Sequence, residues 1–176
     1  MSFPSKAVWA ACWLLLLLFP VSCSKTSQRP DPTPSDAAKA STPIEPIRIY
    51  LSRSGCYGTC PVYSVVADQT GQVTFSGERY VKSEGRHSYT IEPSVVRTLA
   101  DELLDAGFLD FTQEQVDDCQ EEWTDDSSVV LTLEYGDTKH ATNHYLGCTG
   151  GPIHELLTHL EDRVDEALQT KQWIGE

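Results

Sequence analysis

The sequence predicts an α+β domain over residues 47–176, with a mostly antiparallel sheet and two helices packed on one face. Three observations support this fold class. Several short segments alternate apolar and polar residues, which is the period of a half-buried strand. Two longer segments repeat apolar residues at helical spacing, and each has a single apolar face. Short turns join successive strands, so parallel crossovers are not required. The expected order of elements is ββββ-α-ββ-α.

The first four strands are predicted from alternation and from the turns between them. Ile47, Ile49 and Leu51 alternate with polar neighbours. Gly71 closes a hairpin turn, because glycine adopts positive φ without strain. A further hairpin is expected around Gly85. The predicted strands are 47–52, 62–67, 72–77, and a last hairpin that joins 80–81 to 88–91.

The helices are predicted from apolar spacing and from their end signals. Pro93 suits the first turn of a helix whose C-terminal cap is Gly107. A second hairpin then pairs residues 129–133 with 139–145. The last helix is expected to begin at Pro152, and its apolar stripe comprises Ile153, Leu156, Leu157, Leu160, Val164 and Leu168.

The N-terminal segment indicates export and lipidation. Residues 7–19 are apolar, and a run of 13 is too short to span a bilayer but fits a signal peptide. The run ends at Pro-Val-Ser-Cys, which resembles the lipobox of bacterial lipoproteins, although Pro20 departs from the usual aliphatic residue. We therefore expect residues 1–22 to be a signal peptide and Cys23 to carry the lipid. An ordinary cleaved signal peptide is the alternative.

A tether is expected between the lipid and the domain. Residues 23–46 contain five prolines and almost no large apolar side chain, so the segment should be disordered and partly stiffened. Fully extended, residues 24–46 would reach about 75 Å. Ser24 follows the cysteine, and in Gram-negative lipoproteins a residue other than aspartate there resembles an outer-membrane destination. The expected location is the outer membrane, facing the periplasm.

The charge of the chain excludes one class of partner. Without residues 1–23, 12 Lys and Arg oppose 26 Asp and Glu. Nucleic-acid binding requires a basic surface that neutralises phosphates, so it is not expected. The acidic balance also disfavours direct docking on anionic lipid surfaces and favours a partner protein with a basic surface.

The most distinctive motif lies after the first predicted strand. Residues 56–63 are Cys-Tyr-Gly-Thr-Cys-Pro-Val-Tyr. Here the sequence resembles a bacterial family of exported proteins known as domain of unknown function 6438, whose members share Cys-x-Gly-x-Cys-Pro-x-Tyr. The resemblance continues through Ala-Gly-Phe at 106–108 and Trp-Thr-Asp at 123–125, and covers nearly all of 47–174. It implies the fold and export, and it brings no activity or ligand.

The four cysteines of the domain have more than one possible role. In an oxidising compartment the default is disulfides, and we favour Cys56–Cys60 with Cys119–Cys148 among the three possible pairings. Thiol redox chemistry at Cys56 and Cys60 is a second role. It is less favoured because the spacing is one residue longer than Cys-x-x-Cys, and the strand expected after Cys60 offers no helix dipole.

Zinc binding is the third possible role of Cys56 and Cys60. His140 and His144 lie at i and i+4 on one face of a predicted strand and could complete four ligands. Nothing local enforces that convergence, so we predict no metal and no other cofactor. The alternative for both histidines is a polar residue on the solvent face of an outer strand.

The segment 110–126 has eight acidic residues and no basic one. It lacks the regular pattern of a calcium loop, so a solvated acidic loop is favoured over a weak calcium site or a site for a basic partner. Asp125 is a candidate functional residue, although a buried or strand-initiating turn is its first interpretation. His154 and His159 are at i and i+5 of the last helix and are expected on the surface.

The sequence supports two functional hypotheses and predicts no catalytic residue. The first is a membrane-anchored, non-catalytic envelope lipoprotein that binds a protein or another envelope component. The second is a metal-dependent or thiol-redox module that uses Cys56 and Cys60. Signatures such as Gly-x-Ser-x-Gly and His-Glu-x-x-His do not occur in the chain, which favours the first hypothesis.

Overall fold

The computed structural model describes residues 45–175 and confirms the α+β class. Six strands form one sheet in the order β4-β3-β2-β1-β6-β7, and every neighbouring pair is antiparallel. Two short strands, β5 and β8, form a separate antiparallel pair. The strands are β1 Ile47–Arg53, β2 Val62–Asp68, β3 Gln72–Arg79, β4 Gly85–Thr90, β5 Glu121–Glu122, β6 Ser128–Tyr135, β7 Thr138–Tyr145 and β8 Cys148–Thr149.

The two long helices, α1 (Pro93–Asp105) and α3 (Pro152–Ala167), begin at the prolines that the sequence predicted, and α1 ends just before the predicted cap Gly107. Both α1 and α3 carry proline in the first turn, where the backbone N–H that proline lacks would have no partner within the helix. Gly107 follows α1 with φ 75°, the left-handed conformation that favours glycine. The helices are α1 Pro93–Asp105, α2 Gln113–Val116, α3 Pro152–Ala167 and α4 Lys171–Ile174, with a one-turn 3₁₀ helix at Phe108–Asp110.

The core lies between one face of the six-stranded sheet and the helices α1 and α3. Alternate residues of the central strands are fully buried on that face, among them Ile49, Val65 and Leu131. Helix α1 contributes Leu99 and α3 contributes Leu157, and the two helices contact each other above the sheet. Burying such side chains stabilises the fold by about 1.5–3 kcal/mol each.

Two local predictions differ from the structure. No separate hairpin forms at 80–81, because β3 continues to Arg79 and pairs directly with β4. Pro46, expected in the tether, is already joined to the sheet, since its carbonyl accepts a hydrogen bond of 2.9 Å from Gly136 N–H. The short elements α2, α4, β5 and β8 were not predicted, because two to four residues carry too little periodicity to be recognised.

The predicted signal peptide, Cys23 and residues 24–44 of the tether lie outside the described residues. Within residues 45–175, no helix is long and apolar enough to cross a membrane.

Candidate functional site

The cysteine loop and the acidic segment meet on one side of the domain. Cys56 and Cys60 are joined by a disulfide, which is the pairing that the sequence favoured. Within that loop, the Tyr57 backbone N–H donates a hydrogen bond of 2.8 Å to the carbonyl of Asp125. The contact places the loop beside the residues that precede β6.

The acidic segment is held in place by its backbone. The disulfide Cys119–Cys148 and the pairing of β5 with β8 attach it to the residues before α3. The Trp123 backbone N–H donates a hydrogen bond of 2.7 Å to the carbonyl of Gly147. The Tyr145 hydroxyl donates another, also of 2.7 Å, to the carbonyl of Trp123. Since these contacts use the backbone of Trp123, its side chain remains free to face solvent.

Two aromatic side chains are exposed where these segments meet. Tyr57 is 91% exposed and Trp123 is 64% exposed, although aromatic rings usually contribute to burial. The carboxylates next to Trp123 are exposed as well. We call this region the loop surface and define it by Tyr57, Trp123, Glu121, Glu122, Asp125 and Asp126.

Asp125 has the turn role that the sequence favoured, but it is exposed rather than buried. Its φ is 70°, a left-handed conformation that Asp tolerates better than most residues. The functional group that it contributes to the turn is its carbonyl, which accepts from Tyr57. Asp125 therefore links the cysteine loop to the start of β6 through the backbone.

A cleft of about 850 Å³ adjoins the loop surface and is open to solvent. Cys60 and Asp126 lie on its rim, and helix α3 forms the opposite wall. The lining contains four carboxylates, three Lys or Arg side chains and one histidine, so both charge signs are present with a small acidic excess. Its ionisable residues are Arg53, His159, Arg163, Lys171, Asp126, Asp162, Asp165 and Glu166, together with Tyr63.

The floor of the cleft is a hydrogen-bonded group that we call the Arg53 cluster: Arg53, Tyr63, Asp165 and Thr170. Asp165 accepts from Arg53 Nε at 2.9 Å, and its other oxygen accepts from the Tyr63 and Thr170 hydroxyls at 2.8 Å each. Arg53 Nη2 adds a second contact to Asp165 at 2.8 Å. The carboxylate is therefore fully paired, and it joins β1, β2 and the end of α3.

The pairing changes the pKa of two members. Burial lowers the pKa of Arg53, but the charges of Asp165 and Tyr63 outweigh it and raise the value above its usual range. Burial and the Asp165 charge raise the pKa of Tyr63 well above that of a free phenol. At neutral pH both groups keep their protons, so neither acts as a base.

His144 is not on the solvent face, so that prediction is wrong. It is 1% exposed on the core face of β7, and its Nδ1 lies 3.0 Å from Oε1 of Glu161, which is fully buried. Burial raises the pKa of Glu161, while the hydrogen bond and charge of His144 offset part of that effect. The second carboxylate oxygen of Glu161 is buried without a hydrogen-bond partner in the described part of the chain.

His140 also faces the core, and its ring packs edge-on against Phe108 at 5.2 Å. His144 and His140 lie opposite Val129 and Leu133 of strand β6, which are buried, so all four residues share the core face. The sequence-based prediction missed this orientation because the pairing of the two strands had not been used to assign their faces. In this structure Cys56 and Cys60 are bonded to each other, so their sulfurs are not the free thiolates that the zinc hypothesis requires. In residues 45–175, no three His, Cys, Asp or Glu side chains are arranged to hold a metal ion.

His154 was expected on the surface and is instead 3% exposed, whereas His159 is exposed as predicted. The ring of His154 lies 5.4 Å from that of His144, and its Nε2 lies 3.5 Å from Cys148 Sγ. The missed signal is helical spacing: His154, Leu157, Glu161 and Val164 recur every three or four residues, which places all four on one stripe of α3.

The comparisons with known proteins address the family. A family model described as a domain of unknown function, DUF6438, matches residues 47–168. The chain belongs to this family. The match to DUF6438 spans β1 through the end of α3, so both disulfides, the loop surface and, apart from Thr170, the Arg53 cluster lie within it. No curated protein matches the chain.

Proposed function

We propose that this DUF6438 protein is a lipid-anchored, non-catalytic binding module of the bacterial cell envelope, whose loop surface binds a basic segment of a partner protein. The observation that carries the proposal is the exposure of Tyr57 and Trp123, at 91% and 64%, on a surface rich in carboxylates. The rings can accept cations through cation–π contacts, and the carboxylates can accept charge-assisted hydrogen bonds.

The rigidity of the loop surface supports binding. Both of its segments are closed by disulfides and are joined by the contact between Tyr57 and Asp125. Because the backbone that carries both rings is already held by these contacts, a partner that covers the rings orders only the two side chains. The adjoining cleft gives the partner segment room to continue toward α3, where the lining holds both acidic and basic side chains.

The interior supports a non-catalytic role. In the Arg53 cluster, Asp165 is saturated with donors, and the raised pKa of Tyr63 keeps its proton in place. Among the described residues that line the cleft, we find no serine, cysteine thiol or lysine paired with a base in the manner of an activated nucleophile. Paired groups of this kind stabilise the fold and position the loops.

A direct test uses residues 24–176 and a short peptide rich in arginine and lysine, with a neutral peptide of equal length as control. We expect the basic peptide to bind, and Tyr57→Ala with Trp123→Ala to weaken binding at least about tenfold in calorimetry. Tyr80→Ala is the matched control, because Tyr80 is 53% exposed on another loop. Equal loss in the control, or binding of the neutral peptide, would contradict the proposal.

The charge contribution has its own test. Reversing Glu121 and Glu122 to lysine should weaken capture of the basic peptide and reduce its salt dependence. Asp101→Lys is the control, because Asp101 is an exposed acid on α1, an element outside the loop surface. Unchanged binding after the Glu121 and Glu122 reversals would show that the carboxylates of the loop surface do not contribute to peptide binding.

The anchor is proposed from the sequence and is tested separately. Metabolic labelling with palmitate should label the native chain and not Cys23→Ala, and the variant should leave the membrane fraction, because the acyl chains supply the membrane affinity. Fractionation of inner and outer membranes then tests the proposed outer-membrane location. Label on Cys23→Ala, or a variant that stays on the membrane, would contradict lipidation at Cys23.

A further inference from the structure

The two disulfides have different neighbours. Cys56–Cys60 closes an exposed loop that leads into strand β2. In the Cys119–Cys148 disulfide, Cys119 is half-buried, whereas Cys148 is only 3% exposed. Cys148 lies four residues before the start of helix α3 and contacts its first turn, because Sγ is 3.5 Å from Nε2 of His154.

The hydrogen on His154 can be assigned from its contacts. Nε2 also lies 3.3 Å from the backbone carbonyl of Asp118. A carbonyl oxygen only accepts, so Nε2 carries the hydrogen and acts as the donor. The single hydrogen on Nε2 is shared between that carbonyl and the Cys148 sulfur, which lies 3.5 Å from Nε2, and Nδ1 is buried without a partner in the described residues.

We propose that Cys119–Cys148 is a redox-active disulfide, opened by an external thiol that attacks Cys119 while the His154 N–H stabilises Cys148 as the leaving thiolate. The more accessible residue is attacked, and the departing charge develops on the buried sulfur. A thiolate gains from an N–H donor, and the His154 side chain supplies one from the first turn of α3.

The exchange balances with a dithiol as the reductant. Its thiolate forms a sulfur–sulfur bond to Cys119, the Cys119–Cys148 bond breaks, and the electron pair leaves on Cys148. The second thiol of the reductant then displaces Cys119 and closes its own disulfide. Both cysteines take protons from water, so the domain gains two electrons and two protons.

The chemical consequence is local. Reduction releases the covalent link between the acidic segment and the residues before α3, leaving the β5–β8 pairing and hydrogen bonds such as that from Trp123 N–H to the Gly147 carbonyl. Cys56–Cys60 should remain oxidised longer, because no histidine donor contacts its sulfurs within residues 45–175.

The test uses the full-length protein in a mild nonionic detergent, with any free thiols first blocked by N-ethylmaleimide. Dithiothreitol reduction is followed by mass spectrometry of alkylated peptides. We expect Cys119–Cys148 to open at least about tenfold faster in the native protein than in His154→Leu. A hydrogen bond to a charged group, here the leaving thiolate, is strong enough to change a rate by that factor. His154→Gln, which returns an N–H donor, should recover much of the rate.

His159→Leu is the control on the same helix and should leave the rate unchanged, because His159 is exposed. A second measurement needs no variant. Brief exposure to 2-mercaptoethanol with alkylation in the same solution should place the mixed disulfide on Cys119 and the alkyl group on Cys148. The reverse assignment would overturn the proposal, as would equal rates for the native protein and His154→Leu.

Discussion

The Arg53 cluster and the loop surface both concentrate polar groups, but they use them in opposite ways. In the cluster, Asp165 is shielded from water and accepts from Arg53, Tyr63 and Thr170. At the loop surface the carboxylates are exposed and the rings of Tyr57 and Trp123 face solvent. The difference indicates that buried ionisable groups hold this fold together, while the exposed set is available to a partner.

The largest expected effect comes from breaking the cluster. Asp165→Ala leaves Arg53 and Tyr63 without their shared acceptor, and losing one partner of a buried ion pair costs about 3–5 kcal/mol. The free energy of unfolding in urea measures this loss. Asp162→Ala is the control, because it also contacts Arg53, at 3.3 Å, but its side chain is 70% exposed. A control as destabilising as Asp165→Ala would contradict the role given to burial.

The disulfides give the next largest effect. Replacing Cys119 and Cys148 by alanine should cost about 3.6 kcal/mol in the chain-entropy model, because their sequence separation is 29. Replacing Cys56 and Cys60 should cost only about 2 kcal/mol, since their separation is 4. Thermal unfolding of the two double variants tests the order, and a larger loss for Cys56 and Cys60 would contradict it.

Glu161 should make stability depend on pH. Its folded-state pKa is raised by burial, so the folded protein holds a proton that the unfolded chain releases. This contribution is fully present below the unfolded pKa, about 4.3, and is lost as pH rises toward the folded pKa. The slope cannot exceed about 1.4 kcal/mol per pH unit for one proton.

Glu161→Gln should remove this slope, because the amide does not titrate. Urea midpoints between pH 4 and 8 measure the slope, and Glu155→Gln is the control on the exposed side of the same helix. A variant with the same pH profile as the native protein would show that another group carries the dependence.

The smallest effect on stability is expected at the loop surface. Tyr57→Ala and Trp123→Ala should each change the free energy of unfolding by less than about 0.5 kcal/mol, since exposed side chains away from the core contribute little. Thermal unfolding checks this expectation. A loss above about 1.5 kcal/mol would assign the rings to folding, and the comparison with the Arg53 cluster would fail.

The sequence predicted the fold well because the central elements are periodic. Alternation placed Ile49 and Leu51 in the core, and proline with glycine marked both ends of α1. The short elements β5 and β8 depend on the pairing of distant residues and on Cys119–Cys148, which a local pattern does not reveal.

The candidate site was harder to predict because polarity was taken as exposure. His144 and Glu161 are buried because each satisfies part of the other's hydrogen-bonding capacity across β7 and α3. Their neighbours on the same strand face or helix stripe would have indicated burial. Exposure of Tyr57 and Trp123 has no sequence signal, because aromatic residues in loops are buried or exposed according to contacts made elsewhere.

The most direct test is to map the binding of the arginine- and lysine-rich peptide on ¹⁵N-labelled residues 24–176 by NMR. The account predicts that amide shifts concentrate at residues 56–58 and 121–126, while the amides of Glu161 and Asp165 stay unchanged. Shifts centred on α3 and β7 would contradict it, because the buried polar groups would then carry the function. An absence of shifts at saturating peptide would equally contradict it.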